Sequence, residues 1–169
     1  MYLYTFYDID KEDELPLRIL NHRLGESSNS LLFREIRESR GLAYDIYTHL
    51  EITKSIKTLY IYTAVSEENI NEALKAINTT LNNVVSGKII LGERDLKIMK
   101  KVHKTAVIST LEDSSELCNY MLHQALDDED LFEFEADMKR LEILNKDKIK
   151  DVAVKILKNP TIHILKSKK

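Results

Sequence analysis

The sequence predicts an α+β fold, one mostly antiparallel sheet covered on one side by several helices. Three observations carry that expectation. The first nine residues alternate like a half-buried strand, and 42–52 and 56–65 repeat the two-residue period around a short polar connection. From Ser66 onward the apolar residues instead recur at helical spacing, until 161–165 returns to a strand-like pattern. The order of strand, two helices, hairpin, several helices and strand is neither strict βαβ alternation nor a bundle.

In the first strand Tyr2, Tyr4 and Phe6 share one face and Leu3, Thr5 and Tyr7 the other. A strand starting at residue 2 is abrupt, as expected where a linker from an upstream domain precedes it or where the chain has been cut at that point. Residues 12–24 read as a helix with Asp13 as cap and Pro16 in the tolerated first turn. Leu17, Leu20 and Leu24 form its stripe and Gly25 its stop. A second helix follows, capped by Ser27 or Ser28, with Leu32 and Ile36 as its apolar line and Gly41 ending it after Arg40. Thr53, Lys54 and Ser55 make the hairpin connection. Ser66 opens the clearest helix. Glu67 and Glu68 in its first turn complement the dipole, Ile70, Ala73, Leu74, Ile77, Leu81 and Val84 line one face, and Gly87 closes it. A longer helix covers 93–111 with Leu96, Met99, Val102 and Ala106 inward. Asp113 and Glu116 form a capping box for the next, which carries Leu117, Met121, Leu122 and Ala125. Helices follow at 132–144 and 147–158, and Asn159-Pro160 stops the last. No glycine-rich or proline-rich linker interrupts the chain, and 1–169 is expected to form a single domain.

Composition narrows the function classes. The 169 residues can bury roughly two thirds of their unfolded surface. With 25 Lys+Arg against 28 Asp+Glu the net charge is −3, and the cations are scattered, so no nucleic-acid footprint is visible. The lysine-rich end LKSKK reads as a solvated tail. Cys118 is the only cysteine, which excludes an intrachain disulfide and multi-thiolate zinc and fits a reducing cytoplasm. The opening YLYTFY is too short and polar for a signal peptide, and no long apolar run exists to span a membrane.

Familiar catalytic motifs are missing. His22, His49, His103, His123 and His163 supply no HExxH or HxxEH pair, and no phosphate-loop, dinucleotide or GxSxG motif occurs. Glu116, Cys118 and His123 are near in sequence, but positions five apart diverge around a helix. The run DDED at 127–130 lacks the interleaved ligands and turn glycine of a calcium loop and reads as a solvated connector.

What remains is SSNSLLFREIRESRGLAYDIY, residues 27–47, which sets the Arg37 guanidinium and the Tyr44 phenol on either side of a helix stop. That pairing suggests half of an active site. The plainer alternative is that Arg37 belongs with Arg34 and Arg40 to a solvated helix face while Tyr44 packs in the sheet.

Residues 17–51, LRILNHRLGESSNSLLFREIRESRGLAYDIYTHLE, resemble the second, non-catalytic half of the pitrilysin, insulin-degrading enzyme and mitochondrial processing peptidase family. The SEENINEALKAI helix, the DLKIMKKVHKTAVISTLEDSSELCNYMLHQAL pair and the final NKDKIKDVAVKILKNPTIHIL run follow in the order such halves show. The resemblance implies a clamshell of two homologous halves around a flexible peptide. One half carries zinc on an inverted HxxEH helix; the other supplies an arginine and a tyrosine. At that helix position this chain reads Arg18-Ile19-Leu20-Asn21-His22, so one histidine survives, and it can equally be a plain helix-end residue. Catalytic zinc needs three protein ligands, so no cofactor is expected on this chain and zinc is expected on the partner half. By the same resemblance Arg37 and Tyr44 become catalytic and substrate-binding donors that stabilise negative charge on a peptide carbonyl, and Arg37 can also grip a substrate carbonyl. Tyr4, Phe6, Tyr60 and Tyr62 are candidates to line an inner face, with core packing as their other use. The expected partners are a zinc-bearing N-terminal half, fused or separate, and a peptide; a homodimer is a further arrangement to test. An inactive scaffold or peptide-binding subunit of the same fold is the alternative function.

Overall fold

A four-stranded antiparallel sheet in the order β2-β3-β1-β4 organises the chain, with β1 at Tyr2–Phe6, β2 at Ala43–Ile52, β3 at Lys57–Val65 and β4 at Thr161–Ile162. The computed structural model describes residues 1–6, 9–53, 56–89 and 92–167. Tyr7, the Lys54 and Ser55 part of the expected turn, and the last two lysines lie outside the described residues. The α+β reading therefore holds. The chain divides into two compact units, Met1–Ile90 with Asp147–Lys169, and Leu91–Lys146.

In the first unit the pleat sorts side chains as the alternation predicts. Tyr2 pairs with Ile61 and Tyr4 with Leu59, and all four are buried on the helix-covered face. Leu3 and Thr5 oppose Tyr60 and Thr58 on the other face. The β4 pairing is shorter than 161–165, and its ladder ends where Met1 and His163 exchange backbone bonds at 2.7 and 2.8 Å.

Helix α1 spans Lys11–Gly25, one residue earlier than expected, with Asp10 at the N-cap. Pro16 therefore sits in the second turn. Asp13 does not cap the helix; its carboxylate is buried and meets Lys148 Nζ and Lys155 Nζ, each at 2.9 Å, on α6 (Lys146–Ile156). Gly25 is the last helical residue rather than a stop beyond it. Here the helix touches β2: a Cβ on Gly25 would lie 2.5 Å from the Thr48 backbone nitrogen. Thr48 Oγ1 donates to the Asn21 carbonyl at 3.1 Å, closing the same contact. Helix α2, Ile70–Val85, follows a 3-10 turn at Glu67–Asn69 and buries Ala73, Ile77, Leu81 and Val84, the stripe expected of it. Ile77, Leu81 and Val84 each contribute about 1.5–3 kcal/mol on burial.

The Asp13 cluster makes stability depend on pH. Burial opposes its charged form, but hydrogen bonds and charge from Lys148 and Lys155 outweigh burial and hold the carboxyl below its usual value. A group whose folded pKa is depressed adds stability above its unfolded pKa, near 4, and loses it as pH falls through the folded value. Asp13→Asn should cost about 2 kcal/mol at pH 7 and flatten the loss of stability below pH ~4, read by urea unfolding across pH.

In the second unit α3 (Glu93–Glu112), α4 (Ser114–Leu126) and α5 (Glu133–Ile143) surround a small core of Leu96, Met99 and Leu141. Asp113 Oδ1 accepts from the Ser115 and Glu116 amides at 2.8 and 3.0 Å, so the cap forms. The Asp113 amide, however, bonds the Ser109 carbonyl at 3.2 Å rather than Glu116, so the box is not reciprocal. Val102 and Ala106 are exposed, contrary to expectation, because the inward face after Met99 runs through His103, Val107 and Thr110. Cys118 is exposed as well.

Candidate functional site

Arg37 and Tyr44 lie on either side of one tight corner of the first unit. The helix predicted around Leu32 and Ile36 exists, and both leucine and isoleucine are fully buried, but its turns at Phe33–Glu38 are π-helical. Ser30, not Ser27 or Ser28, caps it, accepting from the Phe33 amide at 3.4 Å. The segment closes on Gly41 at φ +62°, where Gly41 N–H donates to the Arg37 carbonyl at 3.1 Å and Leu42 N–H to the Ile36 carbonyl at 3.0 Å. That pair is one residue wider than the usual glycine close, in keeping with the wider π turns before it. Arg37 emerges next to buried Ile36, exposed, with its guanidinium carbon 4.8 Å from the Phe33 ring centroid. Arg40 is engaged by Glu35 at 2.7 Å. Among the described residues Arg37 has no carboxylate within ion-pair distance.

Tyr44 owes its position to a β-bulge. Ala43 pairs with Val65 and Asp45 with Ala64, which leaves Tyr44 as the extra residue. Strict alternation from the buried Ile46 and Thr48 would turn Tyr44 into the core and Ala43 out. The bulge reverses both: Ala43 is buried and Tyr44 is 76% exposed. Tyr44 therefore does not pack in the sheet, and its hydroxyl has no hydrogen bond among the described residues.

On α1, Arg18 is exposed and Asn21 is buried, its Nδ2 donating to Glu26 Oε1 at 2.5 Å while its Oδ1 has no partner. His22 Nδ1 stands 3.2 Å from Glu26 Oε2. A guanidinium, an amide and one imidazole already facing a carboxylate do not suit zinc. Among the described residues no group of three or more His, Cys, Asp or Glu side chains could hold a metal ion. Nor is any described helix long and apolar enough to cross a membrane.

The tyrosines expected to share an inner face are divided. Tyr4 is buried and Phe6 lies on its face, opposite Lys57, whereas Tyr60 and Tyr62 project from the other face, because Tyr60 is registered with Leu3. There they join two side chains the sequence reading passed over, Tyr47 and His49. Tyr47 stacks on Tyr62 at 5.1 Å and His49 lies 5.1 Å from Tyr60. The signal was present in the hairpin: once Ile52 pairs with Lys57, Tyr47 must oppose Tyr62 and His49 must oppose Tyr60.

Residues 1–101 match the family described as the peptidase M16 inactive domain. The chain belongs to that family. An uncharacterized zinc protease of Mycobacterium leprae is 34% identical to this M16 inactive domain over 104 residues, 62% of this chain and 23% of that protein. The chain thus spans about a quarter of that relative's length. Among solved structures, a protease from Helicobacter pylori superimposes with a TM-score of 0.81 at 21% identity, over 93% of this chain and 37% of that one. The peptidase M16 inactive domain from Pseudomonas fluorescens does so with a TM-score of 0.75 at 19% identity, over 92% and 37%. These two likenesses establish the fold.

Proposed function

We propose that this chain is the non-catalytic half of a two-half zinc endopeptidase, closing a peptide chamber against a homologous half that holds the zinc. That half is either upstream in the same polypeptide or on a separate chain. The observation that carries the reading is the corner itself: a π-helical turn and a β-bulge, two departures from regular structure, each present a hydrogen-bond donor to solvent, Arg37 and Tyr44. Irregularities of these two kinds recur beside functional sites, where they aim side chains. A guanidinium and a phenol can donate to the oxygen of a peptide carbonyl as it gains negative charge, and Arg37 can also hold a neighbouring carbonyl of the substrate. β2 lies at one edge of the described sheet, so it is the strand to which an extended peptide could add. The partial coverage of the mycobacterial zinc protease leaves room in such a protein for the second half.

Reconstitution tests this. The purified chain should cleave no peptide, a mixture with a zinc-bearing half should, and Arg37→Ala and Tyr44→Phe should lower turnover of the mixture without weakening assembly. An inert scaffold of the same fold would assemble and show no dependence on either residue. A stable homodimer that cleaves peptide unaided would overturn the proposal.

A further inference from the structure

The sheet face opposite the helices carries aromatic rings and carboxylates that the corner chemistry does not use. Its described positions are Leu3 and Thr5 on β1, alternate residues from Asp45 to Glu51 on β2, Thr58, Tyr60, Tyr62 and Ala64 on β3, and Thr161 on β4. Tyr47 and Tyr62, 37% and 39% exposed, form an offset pair with planes 30° apart, and Tyr60 meets Tyr47 edge-on at 6.3 Å. His49 extends the slab over Tyr60. The formal charges at these described positions are Asp45 and Glu51, both exposed, six residues apart and so about 20 Å along β2.

We infer that this face is a docking site for lysine or arginine side chains of an extended peptide. The inference rests on the reading of the chain as a chamber half and names the side-chain class that half prefers. Ring faces attract cations through their quadrupoles, and a carboxylate at each end of the slab adds attraction of the same sign. A purely apolar occupant would leave Asp45 and Glu51 unmatched. A second copy docked face to face about a two-fold axis would bring these carboxylates into a shared negative field.

The test uses the chain by itself and two unstructured peptides that differ at one position, arginine in one and citrulline in the other. Binding is read from the ring-proton resonances of Tyr47, Tyr60 and Tyr62. The arginine peptide should shift all three and bind about ten-fold more tightly than the citrulline peptide. The preference should shrink in high salt, in Asp45→Asn with Glu51→Gln, and in Tyr47→Leu, which keeps bulk and removes the ring. Equal affinity for the two peptides, shifts confined to residues elsewhere, or no binding would each overturn the inference. Because no zinc-bearing half is present, failure here is separable from failure of the chamber reading, which is read from turnover of the reconstituted complex.

Discussion

Gly25→Ala should leave a destabilised protein, with an unfolding midpoint lower by about 4–16 °C. The added methyl would sit 2.5 Å from the Thr48 nitrogen, 2.6 Å from its Cγ2 and 2.7 Å from its Oγ1. The side-chain atoms can rotate away, but the nitrogen belongs to β2, which is held by pairing along its length with β3. Helix α1 must therefore retreat from the sheet, opening the contact beneath Leu20 and Leu24, both essentially inaccessible to solvent, and stretching the bond from Thr48 to the Asn21 carbonyl. Overpacking of this kind costs about 1–3 kcal/mol, the lost bond adds about 1, and the sum is a large part of the 5–15 kcal/mol that holds a domain together. A shift of 2–4 °C per kcal/mol gives the midpoint change. Gly41→Ala is the comparison: its Cβ would meet nothing within 4 Å, so only the left-handed backbone at φ +62° matters, at about 1–2 kcal/mol. Thermal unfolding followed by circular dichroism ranks the two. A Gly25→Ala midpoint equal to the wild type would mean that α1 slides along β2 at no cost.

What the sequence disclosed and what it withheld follow from the range of the forces involved. The hairpin was legible because a two-residue period on both arms and a short polar connection specify each other, and 43–52 against 57–65 is nearly the expected span. Helix α2 was legible because its stripe is continuous. Asp13 reads as a cap because an acidic residue near a helix start is ordinarily one, and nothing local announces that Lys148 and Lys155 lie beside it. Gly25 reads as a stop for the same reason, since Thr48 is a neighbour only in space. Extending the stripe of Leu96 and Met99 to Val102 and Ala106 puts it in the wrong phase, and the half-buried residues are His103 and Val107 instead.

The corner shows the division most sharply. Leu32, Ile36 and Gly41 have the roles their types suggest, yet neither the π turns nor the bulge has a local signature, and period-two reasoning applied to β2 would bury Tyr44. Arg37 and Tyr44 stood out from the sequence through resemblance to a family. The bulge supplies a physical reason why a tyrosine at that position is open to solvent.

In the reconstituted complex Tyr44→Phe should lower kcat by about 10²-fold with KM nearly unchanged, and Arg37→Ala should lower kcat/KM by about 10²–10³-fold. The split follows from what each group offers. Removing the Tyr44 hydroxyl deletes one donor and leaves the ring in place, so a loss confined to kcat marks a bond made as the carbonyl oxygen acquires charge. Arg37 offers a charge and a planar fork, so its removal also weakens ground-state binding and part of the loss should fall in KM. Arg37→Lys keeps the charge over Phe33, where the guanidinium carbon now lies 4.8 Å from the ring centroid, but loses the fork. It should recover roughly ten-fold of the loss and no more. Full activity in Arg37→Lys would reduce Arg37 to a source of field. Unchanged kinetics in Tyr44→Phe would return the exposed tyrosine to a surface residue and leave the bulge without a catalytic use.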